Sequence, residues 1–150
     1  MKRKDAKPPR TGAGEKATLV GFLDYLRDAV AAKALGAPEP QVRTAGVPSG
    51  TSVLGLVKHL AHVERFHFLG ESVDDWGATM RPEPDETVDE LVAGYREAVA
   101  RANDIIAACR DLGEGAPSMR WLLVHMIEET GRHAGHADIL REQIDGATGR

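Results

Sequence analysis

Along most of the chain apolar residues recur at three- and four-residue intervals, the period of an amphipathic helix. A first helix is expected over residues 15–35, where Leu19, Phe22, Leu23, Leu26 and Val30 fall at that spacing. It should stop in Gly36-Ala37-Pro38-Glu39-Pro40, because proline lacks an amide donor and disfavours helix in the residue before it. A second helix follows the cap-rich run Pro48-Ser49-Gly50-Thr51-Ser52 and carries Val53, Leu56, Val57, Leu60, Val63 and Phe66 on one face. It should end near Gly70, and residues 76–85, with Pro82 and Pro84, read as a loop. Thr87 and Glu90 form a capping box that opens a third helix, with Val88, Leu91, Val92, Tyr95, Val99, Ile105, Ile106 and Leu112 as its apolar positions. Gly113-Glu114-Gly115-Ala116-Pro117 breaks the chain again. Ser118 then caps a fourth helix that runs to about Ile144, with Gly146 placed as its C-terminal cap.

No segment alternates apolar and polar residues long enough for a strand, so the expected fold is all-α. Four helices of roughly 20 to 26 residues, each rising ~1.5 Å per residue, can pack lengthwise as a four-helix bundle over residues 15–150. Residues 1–14 are expected to be a flexible basic tail: Lys2, Arg3, Lys4, Lys7 and Arg10 surround Pro8 and Pro9. Gly131 and Gly135, four apart on the fourth helix, fall toward the edge away from the apolar stripe. They either admit a close neighbour, helix or subunit, or are tolerated in a well-packed helix.

The informative polar residues also lie on the fourth helix. At about 100° per residue, Leu122, Met126, Leu140 and Ile144 cluster in one direction. Glu129, His133 and His136 fall in the same sector, and His125 lies at its edge. Carboxylates and imidazoles facing a core need partners, since an unpaired buried carboxylate is prohibitively costly. Glu129 and His133, at i and i+4, share one helical turn and suit two ligands of one ion. His59, on the flank of the second helix's apolar face, offers a third from a facing helix. Imidazole with carboxylate fits zinc, nickel or iron better than magnesium or calcium. The plainer reading of any one histidine is a hydrogen-bonded core residue, and His62 and His67 are left at that. His125 would cap or pair locally, and Glu129 could pair with Arg132.

Composition narrows the classes without choosing among them. Apolar residues make up 42% and charged residues 28% of the 150, as in ordinary globular domains. A net charge of −4 argues against a nucleic-acid partner. Cys109 is the only cysteine, which rules out an intrachain disulfide, and its place on the third helix's apolar stripe reads as core. The N-terminus lacks the apolar run of a signal peptide, and no segment approaches the ~18 continuous apolar residues of a membrane helix. A cytoplasmic protein is expected.

Two runs carry a family likeness: "LVKHLAHVERF" within residues 48–66, and "MRWLLVHMIEETGRHAGHADILREQIDG" over 119–146. Together they resemble the DinB-like superfamily, closest to a branch of small actinobacterial proteins related to mycothiol-dependent maleylpyruvate isomerase and bacillithiol transferases. The resemblance implies a four-helix bundle, often a homodimer, with a metal held by three side chains and open coordination positions. His59 matches the family's H-L-A histidine, and Glu129 and His133 match its last two ligands. Many members have histidine at both of those positions; glutamate then histidine is the isomerase-like pattern, and it leaves a less positive centre. His136 stands where many relatives have glutamine and could be an extra ligand, a supporting partner or a substrate-facing acid–base group. Asp138 and Arg141 are candidates to support the metal residues.

Three functions are therefore open. The first is a transferase or isomerase that depends on a divalent metal, zinc before nickel or iron, and uses a low-molecular-weight thiol such as mycothiol. In it His59, Glu129 and His133 bind the metal and His136 is catalytic. The second is a non-enzymatic metal-binding stress or regulatory protein, and the third a dimeric bundle with hydrogen-bonded histidines and no metal.

Overall fold

Each long helix after the first begins where a side-chain oxygen can accept one of the amides that a helix start leaves free. Ser52 Oγ accepts from the Gly55 amide at 3.0 Å, and Ser118 Oγ accepts from that of Trp121 at 3.2 Å. Thr87 and Glu90 complete the expected capping box, each side chain accepting from the other's amide at 3.1 Å. Gly70 and Gly146 end their helices at φ of 68° and 74°, a left-handed conformation that costs glycine little.

The computed structural model describes residues 5–10 and 12–149. Its helices are α1 Glu15–Ala34, α2 Val53–Leu69, α3 Trp76–Thr79, α4 Val88–Ala108 and α5 Met119–Asp145, with a single 3-10 turn at Gln41–Arg43. There is no β-strand among the described residues, so the fold is all-α. The four long helices form the bundle, α1 packing chiefly on α5 and α2 on α4. None of the described helices is long and apolar enough to cross a membrane. Of the basic N-terminal residues, Lys2, Arg3 and Lys4 lie outside those described. Residues 5–10 have no regular structure, and the Tyr25 hydroxyl donates to the Ala6 carbonyl at 2.8 Å.

The structure departs from the sequence pattern in four places. Residues 76–79 form a turn of helix instead of loop, because Asp75 caps it by accepting from the Ala78 amide at 3.2 Å. The third long helix stops at Ala108 and not near Leu112. There Lys16 reaches across from α1 and donates to the Ala107 and Cys109 carbonyls at 3.1 and 2.7 Å, satisfying acceptors the helix end leaves free. Cys109 is thus a half-buried capping residue whose thiol donates to the Asp111 carbonyl at 3.2 Å, not a core residue on a helical stripe. Phe22, Phe66 and Ile105 are exposed although their spacing placed them on apolar faces, and Phe68 is buried in place of Phe66.

The fourth departure concerns α5. Its buried residues are Leu123, Met126, Thr130, Ala134, Ala137 and Leu140. Small side chains make up half of that stripe, so its centre is turned by roughly 50° from the one drawn through the large apolar residues, at about 100° per residue. Glu129, His133 and His136 consequently stand at the margin of the core. Gly131 does admit a neighbour: a Cβ there would sit 3.4 Å from Leu26 Cδ1 of α1, whereas Gly135 faces open space.

One ion pair is fully enclosed. The Arg27 guanidinium donates through Nε and Nη2 to the two Glu64 oxygens, both at 2.7 Å, and through Nη1 to Asp24 and Asn103 at 2.8 Å. It links α1, α2 and α4 with every partner matched. Removing one member strands a buried charge, whereas replacing both with apolar groups does not. Glu64→Ala should therefore lower stability in urea by about 3–5 kcal/mol, and Arg27→Met/Glu64→Leu should lose much less.

Candidate metal centre

α2 and α5 lie antiparallel along one seam, since His59 meets Glu129 while His67 lies against His125 further back along α5. On that seam His59 Nε2 is 3.4 Å from Glu129 Oε1, and His133 Nε2 is 3.0 Å from the same oxygen. The two imidazoles stand edge to face, their centroids 5.0 Å apart. One donor atom from each residue lies within 4.8 Å of the others, close enough for one metal ion to take all three. Their side chains are 13%, 23% and 15% exposed for His59, Glu129 and His133, so the cluster is sheltered yet open on one side.

A residue that spacing did not single out orients His59. The Thr79 hydroxyl lies 2.6 Å from the Trp76 carbonyl and 2.8 Å from His59 Nδ1. It has one hydrogen, and the short contact to a carbonyl uses it, so Thr79 accepts from His59 Nδ1–H. Neutral His59 then carries its lone pair on Nε2, aimed at a carboxylate oxygen. Two lone pairs facing each other at 3.4 Å call for a cation between them, and this arrangement is the fit of these residues to a divalent metal. His136 stands behind His133, with Nδ1 to Nδ1 at 3.3 Å, and it is exposed. Its contact is thus on the far side of the His133 ring from Glu129, the place of a partner that sets the tautomer of a metal-binding imidazole. His136 also lines a shallow pocket of about 220 Å³ with Val47, Ser49, Thr51, Ile139 and Leu140.

Electrostatics leave the cluster in the states a metal needs. Burial pulls His59 and His133 below the ordinary imidazole value, outweighing Glu129. Burial alone would raise Glu129, but the two histidines together hold it below the usual carboxylate range. The set is two neutral imidazoles and one carboxylate at neutral pH.

Asp138 and Arg141 are not brought to this cluster. Asp138 Oδ1 lies 3.3 Å from Lys33 Nζ, close enough for charge attraction but without hydrogen-bond geometry. Arg141 Nη1 donates to the Lys33 and Leu35 carbonyls at 2.9 and 3.0 Å and so closes the C-terminal end of α1. His62 is half-buried beside Lys58, Arg65 and Glu86 along another seam, with α4. His67 and His125 join an aromatic row described below.

The fold and the cluster together define a helical-bundle protein with a three-donor candidate metal centre at the α2–α5 seam. The mycothiol-S-transferase family model matches residues 18–146, and the chain belongs to that family. The family is DinB-like and related to mycothiol-dependent enzymes, so the resemblance carried by the His59 and Glu129–His133 motifs holds. No curated protein matches the chain.

Two measurements check the geometry. Thr79→Val should keep the fold but weaken zinc binding by roughly 10- to 100-fold in a chelator competition, since it removes the group that fixes His59. Zinc affinity should also depend on pH with a definite sign. Both histidines have lowered values, so protons do not compete at pH 7; as pH falls below the ordinary imidazole value near 6.5, up to two protons oppose each ion and affinity drops steeply.

Proposed function

We propose that the chain is a metal-dependent transferase or isomerase acting through a low-molecular-weight thiol, mycothiol by family, with His59, Glu129 and His133 holding one divalent metal. The observation that carries this is the convergence of three donors on one point, with His59 already turned by Thr79 to present Nε2. Zinc fits the donor set best, and nickel or iron also suit it. Such an ion, when bound, lowers the pKa of a coordinated thiol so that the thiolate forms at neutral pH.

The protein's own residues supply the rest. Thr79 and His136 hold the two imidazoles from behind. The Glu129 carboxylate would cancel part of a bound ion's charge, making the centre a milder Lewis acid than three imidazoles would. His136, exposed at the pocket edge, is placed to take up or return the proton that a thiol loses or an acceptor gains. No protein cysteine is needed: the Cys109 thiol is spent on the Asp111 carbonyl at the end of α4.

Elemental analysis of untagged protein should find about one equivalent of metal per chain. His133→Ala should lose both the metal and mycothiol transfer to an electrophile. Cys109→Ser should keep both. Full metal with no turnover on any thiol would leave a carrier or sensor instead, and failure to load any metal would sink both readings.

A further inference from the structure

Beside the candidate centre runs a row of rings that neither the core nor the metal cluster uses. Trp76 lies 5.8 Å from His59, centroid to centroid, and 5.3 Å from Phe66. Phe66 meets His67 at 5.1 Å, and His67 meets His125 at 5.0 Å. Trp121 closes the row, stacked on His125 at 4.8 Å and 18°. Phe66, Trp76 and Trp121 are 42%, 40% and 51% exposed. Each large ring is therefore held in place by its neighbours while about half of it faces solvent. From Trp121 to Glu129 is eight helical residues, so the row extends ~12 Å from the cluster.

We infer that this aromatic row binds the planar, uncharged ring system of the electrophilic cosubstrate, with the reacting atom directed to the His59–Glu129–His133 end. The inference rests on the thiol-transferase reading for its chemistry but on geometry alone for the binding surface. Aromatic faces reward stacking by planar conjugated groups, and rings already fixed by contacts with one another lose little freedom when a ligand arrives. Phe66, Trp76 and Trp121 carry no charge themselves; the Glu128 carboxylate lies 3.5 Å from His125 Nδ1 beside them, and Glu129 stands at the cluster end. A ligand uncharged along its ring and polar at one end matches that layout. An anion would be drawn past the rings to the cluster, and a cation would be opposed by a loaded centre. Continuity with the cluster favours a small molecule over a second copy of the chain. In the reaction, the thiol sulfur forms a C–S bond to the electrophilic carbon while a halide leaves with its bonding pair. The thiol proton passes to His136 or solvent.

Both tryptophans of the chain lie on this row, so its tryptophan emission reports only on it. The uncharged probe N-phenyl-1-naphthylamine, titrated into metal-free full-length protein, should quench that emission saturably with energy transfer to the probe. Trp76→Leu and Trp121→Leu should each weaken the probe's binding by roughly three- to tenfold, the value of one aromatic pair, with zinc loading unchanged. With mycothiol and metal-loaded protein, benzyl chloride should react faster than n-butyl chloride after correction for their uncatalysed rates, and the Trp variants should erase that preference through KM. Absence of saturable quenching, or undiminished binding in both variants, overturns the inference. So does a Trp121→Leu variant that lowers the sedimentation mass of a dimer, since the row would then be an interface between copies. Probe binding that depends on the tryptophans, alongside no thiol transfer to any electrophile, keeps the aromatic site and rejects the transferase reading.

Discussion

At Gly55 the space a Cβ would fill is taken by the Met80 carbonyl oxygen, with the Met80 carbonyl carbon and Ser52 Oγ also inside normal contact. The turn that follows α3 is therefore seated directly on the backbone of α2. Two features of the site follow from that seat. Thr79 comes within hydrogen-bond reach of His59, one helical turn further along α2, and Trp76 brings its ring to both His59 and Phe66. Even one methyl at position 55 would meet a carbonyl that cannot swing aside like the end of a flexible side chain. The tautomer of His59 and one end of the aromatic row thus depend on an atom that is absent.

The fold treats its two carboxylate clusters differently. Glu64 is fully enclosed and receives two hydrogen bonds from a guanidinium that is itself matched by Asp24 and Asn103. Burial pushes the Glu64 carboxyl above its usual range and the Arg27 guanidinium opposes that push, so the pair is matched within the protein as a structural pair is. Glu129 has no such permanent cation. Its partners are two imidazoles that burial keeps neutral, one of them presenting a lone pair. A structural network would be expected to complete itself with Arg or Lys; this one lacks such a cation, which is what the proposed metal would supply. The contrast separates a site from a strut within a single bundle.

How much could be read beforehand differs by kind of information. The four long helices, their caps and the i, i+4 pair Glu129–His133 were legible, because local periodicity and spacing encode them; His59 lay on a facing helix, and the family resemblance matched it to them. The phase of α5 was not. Thr130, Ala134 and Ala137 carry its buried face, and small residues weigh little in a pattern drawn from Leu, Met and Ile. That error placed His136 in the core when it stands exposed behind His133. Asp138 and Arg141 could have been set aside from the sequence: at about 100° per residue both project well away from Glu129 and His133. Thr79, Trp76 and Gly55 left no local signal. Their roles arise from a one-turn helix meeting α2 across some twenty residues of chain, a tertiary contact that no periodicity describes.

The two groups behind the histidines are not equivalent, and the difference orders the site. Thr79 is buried and cannot change charge, so its hold on His59 does not vary with protonation. His136 is exposed while touching His133. Along α5 the aromatic row lies before Glu129 and the His136 pocket after it, so the fixed flank is also the flank that carries the exposed rings. On the proposed reading, proton transfer would belong to the opposite flank, with the reacting atom between the two. An acceptor lying on the rings would reach the three donors without displacing the group that handles its proton. This arrangement suits transfer to a bulky planar acceptor better than it suits storage of a metal ion, for which neither an exposed histidine nor a solvent-facing row of rings has a use.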